Sequence, residues 1–519
     1  MVRAAGFGNG FVSGGGGSRA PGAEVGHNAT MNDVLTYLET QGASFAEEPF
    51  NAVDSALLAQ FCMARGEGVM PRLAAPTAVE GGEAPRGRHR LTALLDHLRH
   101  RSRSPRGRDG AEDGAAAAAR SGAAAEVTAG AVRSEGAAEA DAARVVSQAA
   151  QTGGAAAGGA AAGDGAAAPM TAAGATKAEA LDRAEEAQDA VAPTKPIHFA
   201  DLLRAELFPT MFSGMHATSM IQQLFWMAAS PRFRDLLIYD HEAAFDESLD
   251  MQFAATTFVC PGQFAYVGYR GTDTTLTGWR EDFNMAYMVP VPAQDLAVRY
   301  LEAVAADRRL PERLIVGGHS KGGNLAEYAA LKASPAVQGR IDHLYNHDGP
   351  GFMPGTFTAA DYEPLAGRMT KQVPEDSMVG ILMESLMPTE VVRATGRGFE
   401  QHTVYRWVVA EGGSDFATLG ALPERTERRA EALAAWLASM DGEDRERMVN
   451  ALFSALKAAG IADAAQLFAG GREWAILRDG VMRAPMADRT TMLNALRGLT
   501  RAFSDVTASR NNARRAGRK

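Results

Sequence analysis

The chain has 519 residues, a hydrophobic fraction of 46%, a formal net charge of −10 and a sequence pI near 5.7. That length allows roughly two to four domains, and the acidic balance argues against a general nucleic-acid binder and fits a soluble acidic protein. Its two cysteines, Cys62 and Cys260, stand far apart and outside any CxxC pair or histidine cluster, which points away from a disulfide framework and from a zinc site.

Residues 1–30 lack the apolar stretch of a secretory signal, and no uninterrupted apolar run is long enough to span a bilayer. The expectation is a cytoplasmic protein with a disordered N-terminal tail. Folded sequence begins at Met31. Asn32–Glu39 and Val53–Ala64 carry apolar residues at helical spacing, with Asp54 near a helix start. Cys62 lies in the apolar run Ala56–Met63 and reads as a small core residue. After 31–73 the composition breaks. Residues 76–108 are rich in Pro, Gly and Arg, and 109–193 hold no aromatic residue, no isoleucine and one leucine, Leu181. Such a segment buries too little apolar surface to offset its ordering entropy, so 74–194 reads as a disordered insertion. Its Arg-rich part has two readings: a weak polyanion or membrane-surface patch, and a solvated linker.

Order resumes at Ile197. Phe199–Phe212 is a candidate amphipathic helix and Met220–Ala229 a strongly apolar one. Phe253–Cys260 and Phe264–Tyr269 read as strands joined by a hairpin-like turn at Pro261-Gly262. Gln294–Ala306 is helical, Leu314–Gly317 a short apolar strand, Asn324–Lys332 helical and Ile341–Tyr345 a strand that runs into the turn Asp348-Gly349-Pro350-Gly351. Val404–Val409 reads as a further strand. Strands alternating with helices imply parallel crossovers and a sheet covered on both faces, over residues 195–415. Arg425–Ser439, Asp444–Ala459 and Met482–Phe503 have helical periodicity, which makes 416–508 a helical appendage. Residues 509–519 form a basic, unstructured tail.

The segment LIVGGHSKGGNLAEYAAL contains Gly318-His319-Ser320-Lys321-Gly322. A G-x-S-x-G motif between an apolar strand and a helix is what a nucleophile elbow requires, because a turn this tight has no room for side chains at its two glycines. The competing reading is a tightly packed Gly-rich turn or a phosphate loop, and the phosphate-loop pattern does not fit. A serine hydroxyl needs a base, and the base an orienting acid. In this fold the chain order is serine, acid, histidine. Of the 11 histidines only His343, His347 and His402 follow Ser320, and His402 alone follows Asp348. Asp348 opens the DGPGF turn at the end of a strand; Asp376, in VPEDSMVG, is the alternative acid. Either could instead be a turn-capping aspartate. The oxyanion donors expected are the backbone N–H of Lys321 and that of Thr272, in the loop Tyr269-Arg270-Gly271-Thr272-Asp273. Arg270 and Asp273 are read as a brace for that loop. His319 and the Lys321 side chain are read as packing or solvent-facing.

FAYVGYRGTDTTLTGWREDFN resembles the FRGT-x-x-x-x-x-W-x-x-D region of class 3 lipases, and GGHSKGGNLA resembles their elbow. The fuller pattern is more similar to the Mbeg-like bacterial family of lipase-like α/β-hydrolases, a domain-of-unknown-function family. The matching pieces are PFNAVDSALLAQF, RGTDTTLTGWREDFNMAY, VPAQ, GGHSKGGNLAEYAAL, NHDGPGF, VPEDSMVGILM and QHTVYRW, within 31–75 and about 195–410. The resemblance implies the α/β-hydrolase fold, with Ser320 as nucleophile and His402 as base. For the acid it is divided: class 3 lipases place theirs well after the elbow, near Asp376, and other lipases at the end of the next strand, at Asp348. The Ala-rich stretch departs from the family pattern as an insertion.

The reading that results is an esterase or lipase-like acyl hydrolase. It acts through a covalent acyl-enzyme on a small-molecule or lipid ester, with no metal or organic cofactor. The Met-rich segments Met211–Met227 and Met378–Met387 could line an acyl pocket or form a lid, or simply pack in the core. The alternatives are a catalytically silent binding or scaffold protein and an amide or peptide hydrolase using the same triad. Oligomeric state is not encoded in any of these features.

Overall fold

The computed structural model describes residues 33–72, 195–214, 216–467 and 473–516. The N-terminal tail and the insertion expected from composition lie outside the described residues. A nine-stranded sheet organises the rest, and its strands lie side by side in chain order. They are β1 (Ile197–His198), β2 (Leu237–Asp246), β3 (Met251–Cys260), β4 (Phe264–Tyr269), β5 (Leu314–His319), β6 (Ile341–His347), β7 (Met369–Pro374), β8 (Thr389–Val392) and β9 (Thr418–Leu419). Strands β4 to β8 run parallel, and antiparallel pairs close the sheet on both sides. The result is a mixed α/β sheet flanked by helices, with its parallel part in the centre.

Consecutive parallel strands joined by right-handed crossovers put every crossover helix on the same face. That face holds α4 (Leu276–Asn284), α5 (Pro292–Ala306) and α6 (Lys321–Lys332). Leu296, Tyr300 and Leu301 of α5 and Leu325 and Ala329 of α6 pack there against Ala265, Val267, Val316 and Leu344. The opposite face must be covered from elsewhere. It is covered by α1 (Val34–Thr40), α2 (Ala52–Phe61) and α3 (Ala217–Ala229), from sequence that precedes the parallel strands. Phe264, Tyr266, Ile315 and Tyr345 pack there with Val53, Leu57, Phe61 and Leu224. The alternation along β4, with Phe264 and Tyr266 to one side and Ala265, Val267 and Tyr269 to the other, is the period-two pleat of a strand buried on both faces.

Helix α2 is buried on every side. Asn51 starts it through a reciprocal cap: its side chain accepts from Val53 and Asp54 N–H, and the Asp54 carboxylate accepts from Asn51 N–H. Two glycines let it approach the sheet. A Cβ at Gly268 would lie 2.5 Å from Cys62 Sγ, and one at Gly317 would lie 3.0 Å from Ser55 Oγ. Burial pushes the Cys62 thiol up to about 12, so it stays protonated and packs as an apolar residue. The start of α2 is locked by Arg232, which lies just past α3. Its Nε and Nη2 donate to the Asp54 carboxylate at 2.7 and 2.5 Å, and other guanidinium protons go to the carbonyls of Pro49, Glu48 and Ala43.

Several sequence readings change. Phe199–Phe212 is not one helix but a 3₁₀ turn at Phe199–Leu202 and a separate turn at Phe208–Met211. Pro209 lacks an N–H and sits in the first turn of the second piece, where that loss is harmless. Val404–Val409 is only in part extended: Val404–Arg406 is a 3₁₀ turn, while Trp407, Val408 and Val409 make isolated antiparallel bridges to Ala394, Asp33 and Phe416, and Val404 and Trp407, three residues apart, both face the core. Strand β2 carries no alternating apolar signal and is held by its ladder to β3. Met211, Met220 and Met227 are core residues, as is Met387. No helix among the described residues is long and apolar enough to cross a membrane.

The C-terminal helices are α7 (Glu424–Ala438), α8 (Gly442–Ala458), α9 (Glu473–Arg483) and α10 (Met486–Ala516). Helix α10 continues to Ala516, into the segment read as a basic tail, where Arg510 pairs with Glu427 and Glu431 of α7. Val449, Phe453 and Leu456 of α8 pack over Leu276 and Trp279 of α4.

Replacing Arg232 with Met should leave the Asp54 carboxylate buried without its cation. The expected loss is about 3–5 kcal/mol of unfolding free energy, the usual range for a broken buried pair. Urea unfolding of the two proteins checks this through the midpoint, with the slope unchanged.

Candidate active site

Strand β5 ends at His319, and α6 begins at Lys321, so Ser320 alone makes the turn. Its φ of 60° and ψ of −132° are unfavourable for a side chain with a Cβ, a strain of roughly 1–3 kcal/mol that the surroundings must hold. They hold it through close backbone approach. A Cβ at Gly318 would lie 2.1 Å from Gly322 O, and one at Gly322 would lie 2.1 Å from Tyr269 O. Ser320 N–H donates to His347 O at 3.0 Å, which ties the turn to β6. The serine is partly exposed, and its hydroxyl makes no hydrogen bond to a described residue.

Asp348 follows β6 directly and also has positive φ, 51°. Its side chain is fully buried. Oδ1 accepts from Ser377 Oγ at 2.6 Å and Gly380 N at 3.0 Å. Oδ2 meets His402 Nδ1 at 2.7 Å. A carboxylate can only accept, so Nδ1 carries the proton and the neutral ring keeps its lone pair on Nε2. His402 ends the 3₁₀ turn Gly398–His402, and its ring lies between those of Phe399 and His319, at 5.2 and 4.7 Å between centroids. His319 Nε2–H donates to His402 O at 2.6 Å. The residue before Ser320 therefore holds the backbone of His402 beside the elbow.

The other two histidines downstream of Ser320 are engaged elsewhere. His343 Nε2 bonds Thr370 Oγ1, and His347 lies between Ser55 Oγ and Gln372 Oε1 on the face covered by α2. Asp376 is turned away from the imidazole. Its Oδ2 accepts from Gly398 N and Arg425, and its Oδ1 accepts from Arg429.

The loop after β4 lies against the elbow: a Cβ at Gly271 would sit 3.0 Å from His319 O and 3.3 Å from Ser320 Cβ. Thr272 Oγ1 donates to Asp282 Oδ2 at 2.5 Å, which pins this loop to α4. Arg270 braces it as expected, but its shorter ion pair is to Glu67 at 3.1 Å, with Asp273 at 3.9 Å. The Lys321 side chain is neither solvent-facing nor simple packing. Its buried ammonium donates to Gln252 O and Oε1, both at 2.8 Å, and to Glu281 Oε2 at 3.1 Å. Glu281 in turn accepts from the N–H groups of Gln252 and Ala293. A lysine next to Ser320 and the acidic pair Glu281-Asp282 were both visible in the sequence. Their pairing depends on the fold bringing Glu281 of α4 to the Lys321 side chain, which spacing alone does not give.

Residues 227–454 match the Mbeg1-like family. The matched span includes the elbow, Asp348, His402, α7 and most of α8; helices α1 and α2 precede it. Among curated proteins none matches the chain. A solved structure titled "Crystal structure of M37 lipase" is 12% identical, covering 55% of this chain and 93% of that chain with a TM-score of 0.23.

Burial pushes His347 down to about 3. The folded protein thus keeps it neutral, while an unfolded histidine titrates near ~6.5. The unfolded state binds the extra proton between these values. The stability from this residue is complete above pH ~6.5 and is lost as pH falls toward 3, by up to about 1.4 kcal/mol per pH unit. Unfolding free energy measured from pH 7 to 4 should fall less steeply in His347→Asn than in the parent.

Proposed function

We propose that this chain is a serine hydrolase acting on carboxylic esters. The observation that carries the reading is the Asp348–His402 bond of 2.7 Å, held by His319 beside a serine whose backbone is strained into an elbow. In this reading Ser320 Oγ attacks the ester carbonyl carbon as His402 Nε2 takes its proton. The resulting oxyanion is stabilised by the N–H groups of Thr272 and Lys321. The carbon–oxygen bond to the leaving group then breaks, and the imidazolium returns its proton to the departing alcohol. Water enters, gives a proton to Nε2 and attacks the acyl carbon; the bond from that carbon to Ser320 Oγ then breaks, Oγ takes the proton back from Nε2, and the acid leaves. Asp348 holds the imidazole in the Nδ1–H tautomer throughout. The bond between serine and imidazole is often loose in free enzymes and tightens when substrate binds. Side chains of α4 support both oxyanion donors, through Asp282 at Thr272 and Glu281 at Lys321.

A fluorophosphonate probe tests this without a guess about substrate. Ser320 should gain one covalent adduct by intact mass, with and without detergent, and neither Ser320→Ala nor His402→Ala should react. Well-folded parent protein with no adduct would count against the hydrolase.

The two aspartates separate in a second comparison. Asp348→Asn should lower ester turnover by orders of magnitude, since the same change costs about 10⁴ in a serine protease. Asp376→Asn should cost far less. Equal, small effects of both would mean that neither carboxylate orients the base.

A further inference from the structure

Asp376 is the point where the loop supporting the acid, the loop carrying the base and a C-terminal helix meet. Its carboxylate is 1% exposed. Four contacts involve Asp376, three at its carboxylate and one at its backbone N–H. Arg429 Nη1 of α7 donates to Asp376 Oδ1 at 3.0 Å and to Ser377 O at 3.1 Å. Ser377 Oγ donates to Asp348 Oδ1, which links this site to the acid. Gly398 N–H donates to Asp376 Oδ2 at 2.7 Å, at the start of the turn that ends in His402. The Asp376 N–H donates to Gln401 Oε1 at 2.8 Å, and Gln401 immediately precedes His402. Gln401 is itself fixed, donating to the carbonyls of Ala394 and Gly396 and accepting at its carbonyl from Trp407 Nε1. The first turn of α7 adds a further tie, Thr426 Oγ1 to Glu375 O at 2.7 Å, and Arg425 pairs with Asp376 at 2.7 Å from a half-exposed position.

We infer that Asp376 and Arg429 are positioning residues that set the geometry of the Asp348–His402 pair, so that helix α7 works as a clamp on the acid and base loops. The inference rests on the reading of Asp348 and His402 as acid and base. A carboxylate is suited to this place because it accepts from several donors on different segments at once. The guanidinium is suited because one of its nitrogens, Nη1, carries two protons and donates to the carboxylate and the Ser377 carbonyl together. Neither side chain touches the imidazole. Loss of either one loosens the hold of α7 on both loops, and a displacement of an ångström at a reacting pair can cost about 10²-fold in rate.

The test uses the full chain with ¹⁵N-labelled histidines. His402→Ala assigns the His402 nitrogen signals, and their shifts report which ring nitrogen is protonated. Ser320 labelling by a fluorophosphonate gives a rate for the same proteins. Parent protein should show the Nδ1–H tautomer. Arg429→Ala and Asp376→Asn should each give a mixed tautomer signature and label about ten- to hundred-fold more slowly, and the double variant should be no slower than the slower single one. Arg429→Lys should recover part of both signals, and with Asp376→Asn it serves as the test if Arg429→Ala does not fold. Arg510→Ala loosens α7 from α10 without touching Asp376 and should leave both readouts at parent values. Parent tautomer and labelling rate in Arg429→Ala, or in the folding variants used in its place, would overturn the clamp. Equal losses in Arg510→Ala and Arg429→Ala would do the same, since they would reduce the effect to general support by the helices. A parent protein that does not label, yet shows the expected tautomer changes, counts against the hydrolase reading and in favour of the clamp.

Discussion

The consecutive order of the strands governs how this molecule is built. Right-handed crossovers between neighbouring parallel strands leave all their helices on one face, so the second face stays bare until something outside the crossovers covers it. Helices α1, α2 and α3 do so, and they come from sequence on both sides of the long Ala-rich stretch. A central sheet cannot leave a row of large apolar residues such as Phe264, Tyr266 and Ile315 in water. The short N-terminal segment is therefore part of the domain core. Its fully buried helix carries the one carboxylate, Asp54, that Arg232 neutralises.

The same sheet places the chemistry. Parallel strands end on one edge, and residues just past those ends project beyond it. Ser320 follows β5, Asp348 follows β6 and the Gly271–Thr272 loop follows β4, three neighbours in the sheet. Two of these residues, Ser320 and Asp348, hold positive φ without being glycine. Backbone strain at adjacent strand ends persists because contacts on all sides over-determine it: Gly318 and Gly322 let the helix press onto the turn, and Ser377 and Gly380 grip the aspartate.

Three buried ion pairs tie separate parts of the chain to this edge or to the core behind it. Asp54–Arg232 anchors α2 under the sheet, Lys321–Glu281 joins the helix after Ser320 to α4, and Asp376–Arg429 joins the loops next to Asp348 and His402 to α7. Buried pairs add little net stability against apolar replacements, but they strongly disfavour arrangements that separate the partners. At the loops of the candidate site, that selectivity for one geometry is the useful property.

Much of the site was legible in the sequence because its constraints are local. The glycines around Ser320 are demanded by sterics within five residues, and the strand before and helix after them show in apolar spacing. Chain order singled out His402 among the downstream histidines. Long-range matters were not legible. Asp348 and Asp376 are both aspartates just past strand ends, and nothing local separates them. Only the folded chain turns one toward the imidazole and the other toward two arginines from a helix some fifty residues later. Lys321 read as packing or solvent-facing because helical spacing says nothing about Glu281 reaching it from α4. Strand β2 and the turn at Val404–Arg406 were missed for a related reason: ladder partners and core contacts, not their own apolar pattern, decide their form. The sequence by itself determined the elbow and the alternation of strands and helices, since these rest on sterics and on burial at short spacing. Tertiary structure alone decided which carboxylate meets which cation or imidazole, because such pairing depends on distances between segments that only the packed sheet and its two layers of helices bring together.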